Sequence, residues 1–290
     1  MSGPTIVVVV GSLHHDIMVE APDRPRKGET VAGYSWRPKF GGKGGNQARA
    51  AAAAGAQVRM VGAVGDDDFG RFLLKGLDSA GIDASSVAIL ANQRSGMSVA
   101  ISDASGDYGA VIVAGANLAI EDEAVQTPDL WADAATLILQ NEVSERINLV
   151  AATSARSRGV LVCLNAAPYR PLSVELQASI DVLIVNAIEA EQLCAEKVDD
   201  LASAAKTAAH LTTTFPYAVV TAGSEGVAGC QRGREPVRLP AIPVALVSTH
   251  GAGDTFVGTL AVRLATGDTL RDALMSANIA AAKHVSAKHE

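Results

Sequence analysis

Short apolar runs rich in β-branched residues alternate along this chain with alanine-rich stretches of helical length, and this alternation limits the fold more than any other feature. Such runs are typical of strands buried on both faces, and helices between them are typical of βαβ units around a parallel sheet. The predicted strands are 6–10, 58–64, 136–139, 160–164, 182–185 and 218–221. The predicted helices are 44–54, 69–80, 144–158, 188–196, 201–211, 254–265 and 270–285. The sequence therefore predicts an α/β fold around a mostly parallel central sheet.

Two stretches interrupt this alternation with β-type runs that glycine, proline and aspartate punctuate. We interpret them as strands of a small antiparallel β lid, formed by about 14–40 and 96–114. A further strand or strand pair is predicted over 239–247, at an edge of the sheet because it contains two prolines. All 290 residues are interpreted as one domain that carries this lid.

Composition and charge narrow the classes of function. Hydrophobic residues make up 48% of the chain and charged residues 19%, which indicates a globular protein with a sizeable core. The formal net charge is −7 and no run of Lys or Arg is present, so nucleic acid is not expected as a partner.

The cysteines and the first apolar run bear on the compartment. Cys163, Cys194 and Cys230 are odd in number and far apart, which supports neither a disulfide framework nor a zinc site. The run 6–10 is too short for a signal sequence or a membrane span. We therefore expect a cytoplasmic protein that does not bind a membrane.

Residues 248–256, STHGAGDTF, carry the most informative chemistry and stand directly before an apolar helix. Gly251 and Gly253 allow the backbone to present N–H groups at the helix start, where the helix dipole also favours an anion. At this position the carboxylate of Asp254 is suited to accept a proton from a hydroxyl that attacks a phosphorus atom. The alternative is that Asp254 caps the helix and the glycines form an ordinary turn.

The segment GAGDTF resembles the second signature of the ribokinase-like (PfkB) carbohydrate kinases, and FGGKGGNQ at 40–47 resembles the first signature in its ribokinase-type form. Smaller similarities follow the family's order across nearly the whole chain: GSLHHD, AGAN, a Glu after a strand, NAAP, NxxE and TAGSEG. The resemblance implies a three-layer αβα, Rossmann-like fold. It also implies ATP-dependent phosphorylation of a hydroxyl of a small sugar, a ribose-like pentose or a related carbohydrate or nucleoside.

The resemblance gives roles to individual residues. It implies that Asp254 is the catalytic base and that the amides of Gly251, Ala252 and Gly253 form an anion hole. The implied sugar-binding residues are His14, Asp16, Gly42, Lys43, Asn46 and Glu142. Alternative roles remain for three of these: a turn cap for Asp16, a surface ion pair with an arginine for Glu142, and a solvated loop position for Lys43.

On the nucleotide side the resemblance implies ATP and Mg²⁺ as cofactors. Asn186 and Glu189 match the family's NxxE, which organises the phosphates and Mg²⁺, the latter through water. The other implied nucleotide-binding residues are Thr221, Gly223, Gly226 and Asn278. Turn and helix-surface roles are the alternatives for these residues, and a helix N-terminal charge is the alternative for Glu189.

The chain departs from the family pattern in three places. Ser248 replaces an aspartate that helps to bind an activating monovalent cation in relatives, so a K⁺ requirement stays open. His14 replaces the usual asparagine and alters the sugar pocket. The sequence ends at Glu290, where relatives continue through a glycine-containing loop, so either that loop is absent or the nucleotide site is looser.

Two other functions stay open beside the kinase. The first is a sugar- or nucleotide-binding protein of the same fold with lost or weak catalysis, which Ser248 and the short C-terminus suggest. The second is an NAD-linked oxidoreductase, although GSLHHD stands where G-x-G-x-x-G is expected. The resemblance further implies a homodimer that pairs the lids of two subunits.

Overall fold

The structure is a computed structural model that describes residues 3–103 and 108–287. Its strands are β1 (Ile6–Val10), β2 (His14–Glu20), β3 (Ser35–Gly41), β4 (Gln57–Gly65), β5 (Asp83–Leu90), β6 (Gly96–Ser102), β7 (Tyr108–Val113), β8 (Ala134–Gln140), β9 (Leu161–Asn165), β10 (Val182–Asn186), β11 (Tyr217–Thr221), β12 (Gly226–Gln231) and β13 (Val237–Pro240). Its α-helices are α1 (Lys43–Ala53), α2 (Asp68–Asp78), α3 (Glu145–Arg156), α4 (Val174–Ala178), α5 (Ala187–Cys194), α6 (Leu201–Leu211), α7 (Ala252–Ala265) and α8 (Leu270–Ser286).

A nine-stranded sheet forms the centre of the fold, in the order β13-β12-β11-β10-β9-β8-β1-β4-β5. Neighbouring strands from β11 to β5 are parallel, and β12 and β13 complete one edge in antiparallel pairing. Separate hydrophobic clusters cover its two faces, which explains why β1 is apolar at every position. The predicted α/β architecture with a mostly parallel sheet is confirmed.

A second sheet of four strands, in the order β3-β2-β6-β7, contains the segments predicted to form the lid. Two antiparallel hairpins, β2 with β3 and β6 with β7, build this small sheet. The hairpins are joined by parallel pairing of β2 with β6, an arrangement that the sequence pattern did not indicate. Residues 104–107 of the second predicted segment lie outside the described residues.

One predicted strand is wrong in its extent. The prediction over 239–247 fails beyond Pro240, where β13 ends. The apolar side chains that suggested a longer strand, Val244, Leu246 and Val247, are exposed, and proline at 243 supplies no ladder donor. Sequence patterns also missed β5, which begins with the largely polar run Asp83–Ser86, and β12, which contains two glycines.

The close packing of α1 against α7 brings two signature segments together. A Cβ atom at Gly258 of α7 would lie 2.6 Å from the backbone O of Gln47 and 2.6 Å from Cβ of Ala50, both on α1. Only glycine permits this approach, because carbon atoms in contact normally lie about 3.5–4.0 Å apart. The second turn of α7 therefore packs directly against the middle of α1.

The helices in the described part of the chain do not combine the length and apolar composition of a membrane span.

Candidate active site

A cavity of about 520 Å³ lies at the carboxyl ends of the central strands, with the small sheet along one side. Ligands of open α/β sheets bind at this edge, where loops after parallel strands converge. Most of the site residues predicted from the sequence line it: His14, Asp16, Gly42, Lys43, Asn46, Glu142, Asn186, Glu189, Thr221, Gly251, Gly253 and Asp254. Residues more than 200 positions apart in the chain thus meet in one cavity.

The turn before α7 has the conformation that an anion cradle requires. Gly251 is the N-cap of α7 with φ 86°, a left-handed conformation that favours glycine. Gly251 and Gly253 line the cavity at the positive end of the helix dipole. The amide of Ala252 instead donates to the carbonyl of Thr249 at 3.2 Å, and Ala252 does not line the cavity.

Asp254 is 8% exposed, and its carboxylate is held by two amide side chains from α1. Asn46 Nδ2 donates to Oδ2 and Gln47 Nε2 donates to Oδ1, each at 3.0 Å. Burial raises the pKa of Asp254, while Lys43 and the two hydrogen bonds oppose that rise. Since Gly251 occupies the N-cap, Asp254 does not cap the helix, and the alternative considered for it is wrong.

On the core side of the cavity, Glu142 organises the loops after β1 and β8. It accepts hydrogen bonds from Ser12 Oγ at 2.5 Å and from the Lys43 amide at 2.8 Å. His14 Nδ1 lies 3.9 Å from the same oxygen, Oε2. The partners of Glu142 are therefore buried or cavity-lining groups, and the alternative of a surface ion pair with arginine is wrong.

On the small-sheet side, Asp16 faces the cavity from β2. Its Oδ1 accepts a hydrogen bond from Ser98 Oγ at 2.5 Å, across the register pair that joins β2 to β6. His250 Nε2 lies 3.8 Å from Oδ2. Burial raises the pKa of Asp16, and the Ser98 hydrogen bond opposes this. A Cβ atom at Gly41 would overlap this carboxylate, which explains glycine there.

Asn186 and Glu189 form the start of α5 and line the cavity together. The Glu189 amide donates to Asn186 Oδ1 and the Asn186 amide donates to Glu189 Oε2, both at 2.9 Å, which is a capping box. Burial raises the pKa of Glu189. Glu189 thus has the helix N-terminal role that was its alternative, and it also lines the cavity.

This donor set fits Mg²⁺ bound through water. The described residues contain no cluster of three or more His, Cys, Asp or Glu side chains able to hold a metal ion directly. Mg²⁺ keeps several waters and needs only one or two carboxylates beside substrate phosphates. Glu189 and Asn186 would hold the hydrated ion, since one Glu189 oxygen is already occupied by the capping box.

Four other predicted residues lie outside the cavity lining. Gly223 and Gly226, with φ 55° and 119°, form the turn between β11 and β12. Asn278 Nδ2 donates to the carbonyl of Pro240 at 2.9 Å, which ties α8 to the end of β13. Ser248 Oγ accepts a hydrogen bond from the His250 amide at 3.3 Å. Their roles with nucleotide or cation stay predictions.

The cavity also contains polar residues that sequence reasoning missed. Ser98, Asn165, Thr249 and His250 line it. Gln47 lies directly behind Asp254 and is fully buried. Gln47 and His250 lie inside FGGKGGNQ and STHGAGDTF, next to Asn46 and Gly251. This position in the sequence is the signal from which they could have been predicted.

Comparison with known proteins decides the family. The model of the pfkB family carbohydrate kinases matches residues 5–289. The chain belongs to the pfkB family of carbohydrate kinases. As a member it is an ATP-dependent phosphotransferase that acts on a sugar hydroxyl, which contradicts the oxidoreductase alternative.

Individual relatives of this pfkB carbohydrate kinase agree along its length. It is 36% identical over 287 residues to ribokinase from Bacillus subtilis (strain 168), covering 96% of this chain and 92% of the relative. It is 31% identical over 286 residues to deoxyribokinase from Salmonella typhi, covering 97% and 93%. The structure of Arabidopsis thaliana ribokinase complexed with ribose and ATP superposes with a TM-score of 0.90 at 30% identity, covering 99% of this chain and 94% of that one.

Proposed function

We propose that this kinase transfers the γ-phosphoryl group of ATP to a hydroxyl of ribose or a closely related pentose, with Asp254 as the base. The observation that carries the proposal is the position of Asp254. Its carboxylate is buried, oriented by Asn46 and Gln47, and set in the first turn of α7 beside the amides of Gly251 and Gly253. A proton acceptor and an anion-stabilising helix start thus face one cavity.

In this mechanism the substrate hydroxyl lies against Asp254 and loses its proton to the carboxylate as its oxygen attacks the γ-phosphorus. The amides at the start of α7 stabilise the charge that develops on the transferred group. Mg²⁺, when bound, neutralises the phosphate oxygens, and Glu189 and Asn186 would hold it through water. The ammonium of Lys43 adds positive charge near both Asp254 and Glu189.

The sugar pocket combines residues of the core and of the small sheet. Asp16, Asn46 and Glu142 offer carboxylate and amide groups able to pair with neighbouring hydroxyls, and Gly42 and Lys43 close one side. The relatives named above are a ribokinase and a deoxyribokinase, so the group opposite the sugar 2-position decides between their substrates. His14 is our choice for that group, because an imidazole replaces an amide at this place in the pocket.

ADP release with Mg-ATP against a panel of pentoses, hexoses and nucleosides, in K⁺ or Na⁺, tests the proposal. We expect turnover on ribose or deoxyribose, and a fall in kcat of about 10²–10⁴ in Asp254→Asn with sugar binding kept. Sugar or ATP raising the melting temperature without any ADP release would instead support the binding-protein alternative. Wild-type turnover in Asp254→Asn would remove the base from the mechanism.

We further propose that the chain is one kinase domain whose small sheet acts as a lid and pairs two subunits. By the strand register, one face of this sheet looks into the cavity through Asp16 and Ser98, while the opposite face is apolar. Trp36 and Val111 on that opposite face are 67% and 69% exposed. A second copy of this surface would cover both, and among the described residues the outer strands β3 and β7 each pair with another strand on one side only.

The mass in solution tests this assembly. We expect a homodimer by size-exclusion chromatography with light scattering, and a folded monomer for Trp36→Glu combined with Val111→Glu. A monomeric wild-type protein would contradict the proposal. Three free cysteines and the acidic net charge support a cytoplasmic location, which cell fractionation tests.

A further inference from the structure

Gln47 is a fully buried amide that contacts the base but not the cavity. It is 0% exposed and is absent from the residues that line the cavity. Its Nε2 donates to Asp254 Oδ1 and to Asn165 Oδ1, both at 3.0 Å. Gln47 can therefore influence chemistry only through the groups that it holds.

The orientation of this amide is fixed by a chain of hydrogen bonds that starts in the central sheet. Asn165 Nδ2 donates to the carbonyl of Ile184 at 3.2 Å, so Asn165 must present its oxygen to Gln47. Gln47 then has acceptors on both sides of its nitrogen. A flipped Gln47 amide would place its oxygen against two oxygens, so only one orientation satisfies the chain.

The two oxygens of Asp254 have different surroundings. Oδ2 accepts from Asn46, which lines the cavity, whereas Oδ1 accepts from Gln47, which lies behind it. Because Oδ2 is the oxygen held by a cavity-lining residue, we assign it to the side of the substrate. Gln47 Oε1 is buried and has no hydrogen-bond partner among the described residues, which lowers the stability of the folded protein.

We propose that Gln47 is a positioning residue that anchors Oδ1 of Asp254 to the central sheet and so leaves Oδ2 as the atom that takes the substrate proton. This rests on the proposed role of Asp254 as the base. In the step, the O–H bond of the substrate breaks and its proton passes to Oδ2. The new P–O bond forms as the bond to the leaving ADP breaks. Gln47 stabilises the carboxylate form of Asp254 before this transfer and neither gains nor loses a proton itself.

The test is the kinetics of Gln47→Met, a variant of similar length without the donor. We expect kcat to fall about tenfold while KM for the sugar stays within about twofold, because hydrogen bonds to charged groups stabilise by about this factor or more. The acid limb of the kcat profile should move to higher pH by about one unit, because a carboxylate that loses a donor binds its proton more tightly.

Asn148→Leu is the matched control. Asn148 is also 0% exposed, donates through Nδ2 to the carbonyl of Gln140 at 2.8 Å, and carries a buried oxygen without a partner in the described part of the chain. It lies on α3, which packs against the face of the central sheet opposite α7. We expect it to lower the melting temperature without moving the pH profile.

Gln47→Leu, which also lacks the donor, carries the test if Gln47→Met does not fold. It should move the acid limb upward for the same reason. A wild-type acid limb in either folded variant would overturn the proposal, as would a rise in KM with kcat unchanged. Asp254→Asn measured in parallel separates the two ideas: full activity there refutes the base, whereas an inactive Asp254→Asn with unmoved Gln47 profiles refutes only the positioning role.

Discussion

Replacing Gly258 by alanine adds one methyl group at the point where α7 touches α1. The new carbon would lie 2.6 Å from two atoms of α1, the Gln47 backbone O and the Ala50 Cβ. Since carbon contacts lie at about 3.5–4.0 Å, the helices must separate by about 1 Å. Overpacking of this kind costs about 1–3 kcal/mol. Alanine in place of glycine returns about 1 kcal/mol of helix propensity, so the net loss of stability is about 0–2 kcal/mol.

The effect on activity should be much larger than the effect on stability. Asp254 stands on α7 and its partners Asn46 and Gln47 stand on α1, with both hydrogen bonds at 3.0 Å. A separation of about 1 Å takes them beyond 3.5 Å, where a hydrogen bond no longer forms. Misplacement of a catalytic group by about 1 Å costs about 10²-fold in rate.

Urea unfolding and ADP release, measured on the same preparation, compare the two effects. Gly229→Ala is the control, because its methyl group would lie 2.7 Å from the terminal Cδ1 of Leu274, which can rotate away, and Gly229 is outside the cavity lining. We expect kcat to fall about 10²-fold in Gly258→Ala and to stay unchanged in the control. A Gly258→Ala enzyme with wild-type kcat would refute the link between helix packing and the geometry of the base.

Three other predictions follow from single contacts. Ser98→Ala removes a hydrogen bond to the charged Asp16, so KM for the sugar should rise about tenfold with kcat within about twofold in steady-state assays; a changed kcat with constant KM would contradict this. Burial, with Lys39 and Lys43 nearby, lowers the pKa of His250 from 6.5 to about 4, so the unfolded chain binds that proton more tightly than the folded chain does. The contribution of His250 to the free energy of unfolding is therefore complete above about pH 6.5 and is lost as the pH falls towards about 4. Urea unfolding from pH 7 to 4 should show a smaller loss in His250→Gln, and an equal loss would contradict the assignment. Burial raises the pKa of Cys163 to about 12, so iodoacetamide at pH 8 should alkylate the half-buried Cys194 before Cys163 in mass spectra of the native protein.

The sequence predicted those parts of the fold that depend on local pattern. β1 is apolar throughout and β10 is apolar over its first four residues, so the positions of these buried parallel strands could be predicted from the sequence alone. β12 could not, because Gly226 and Gly229 lack side chains and the strand owes its place to pairing with β11. The strand predicted after Pro240 is wrong for the opposite reason, because Val244, Leu246 and Val247 are apolar yet exposed.

The candidate site follows the same division. Asp254, Asn46 and Glu142 stand in recognisable motifs and meet in the cavity as predicted. Ser98 could not be found, because its contact with Asp16 depends on the parallel register of β2 with β6, which local pattern does not specify. Asn278 and Ser248 stand at the positions that the family pattern predicts, but they do not line the cavity. The side chain of Asn278 instead donates to the carbonyl of Pro240, and that of Ser248 accepts from the amide of His250.

The residues proposed to bind the sugar come from both the small sheet and the core, and this division sets a minimum length for whatever accepts the phosphoryl group. Asp16 and Ser98 stand on the small sheet, while Glu142 and Asp254 stand on the core. A sugar carries several hydroxyls and can contact both sides at once, but a water molecule is too short to do so. Only the sugar therefore gains binding energy from contacts with both sides. We expect hydrolysis of ATP in the absence of sugar to be slow, because a water molecule cannot contact the small sheet and the core at the same time.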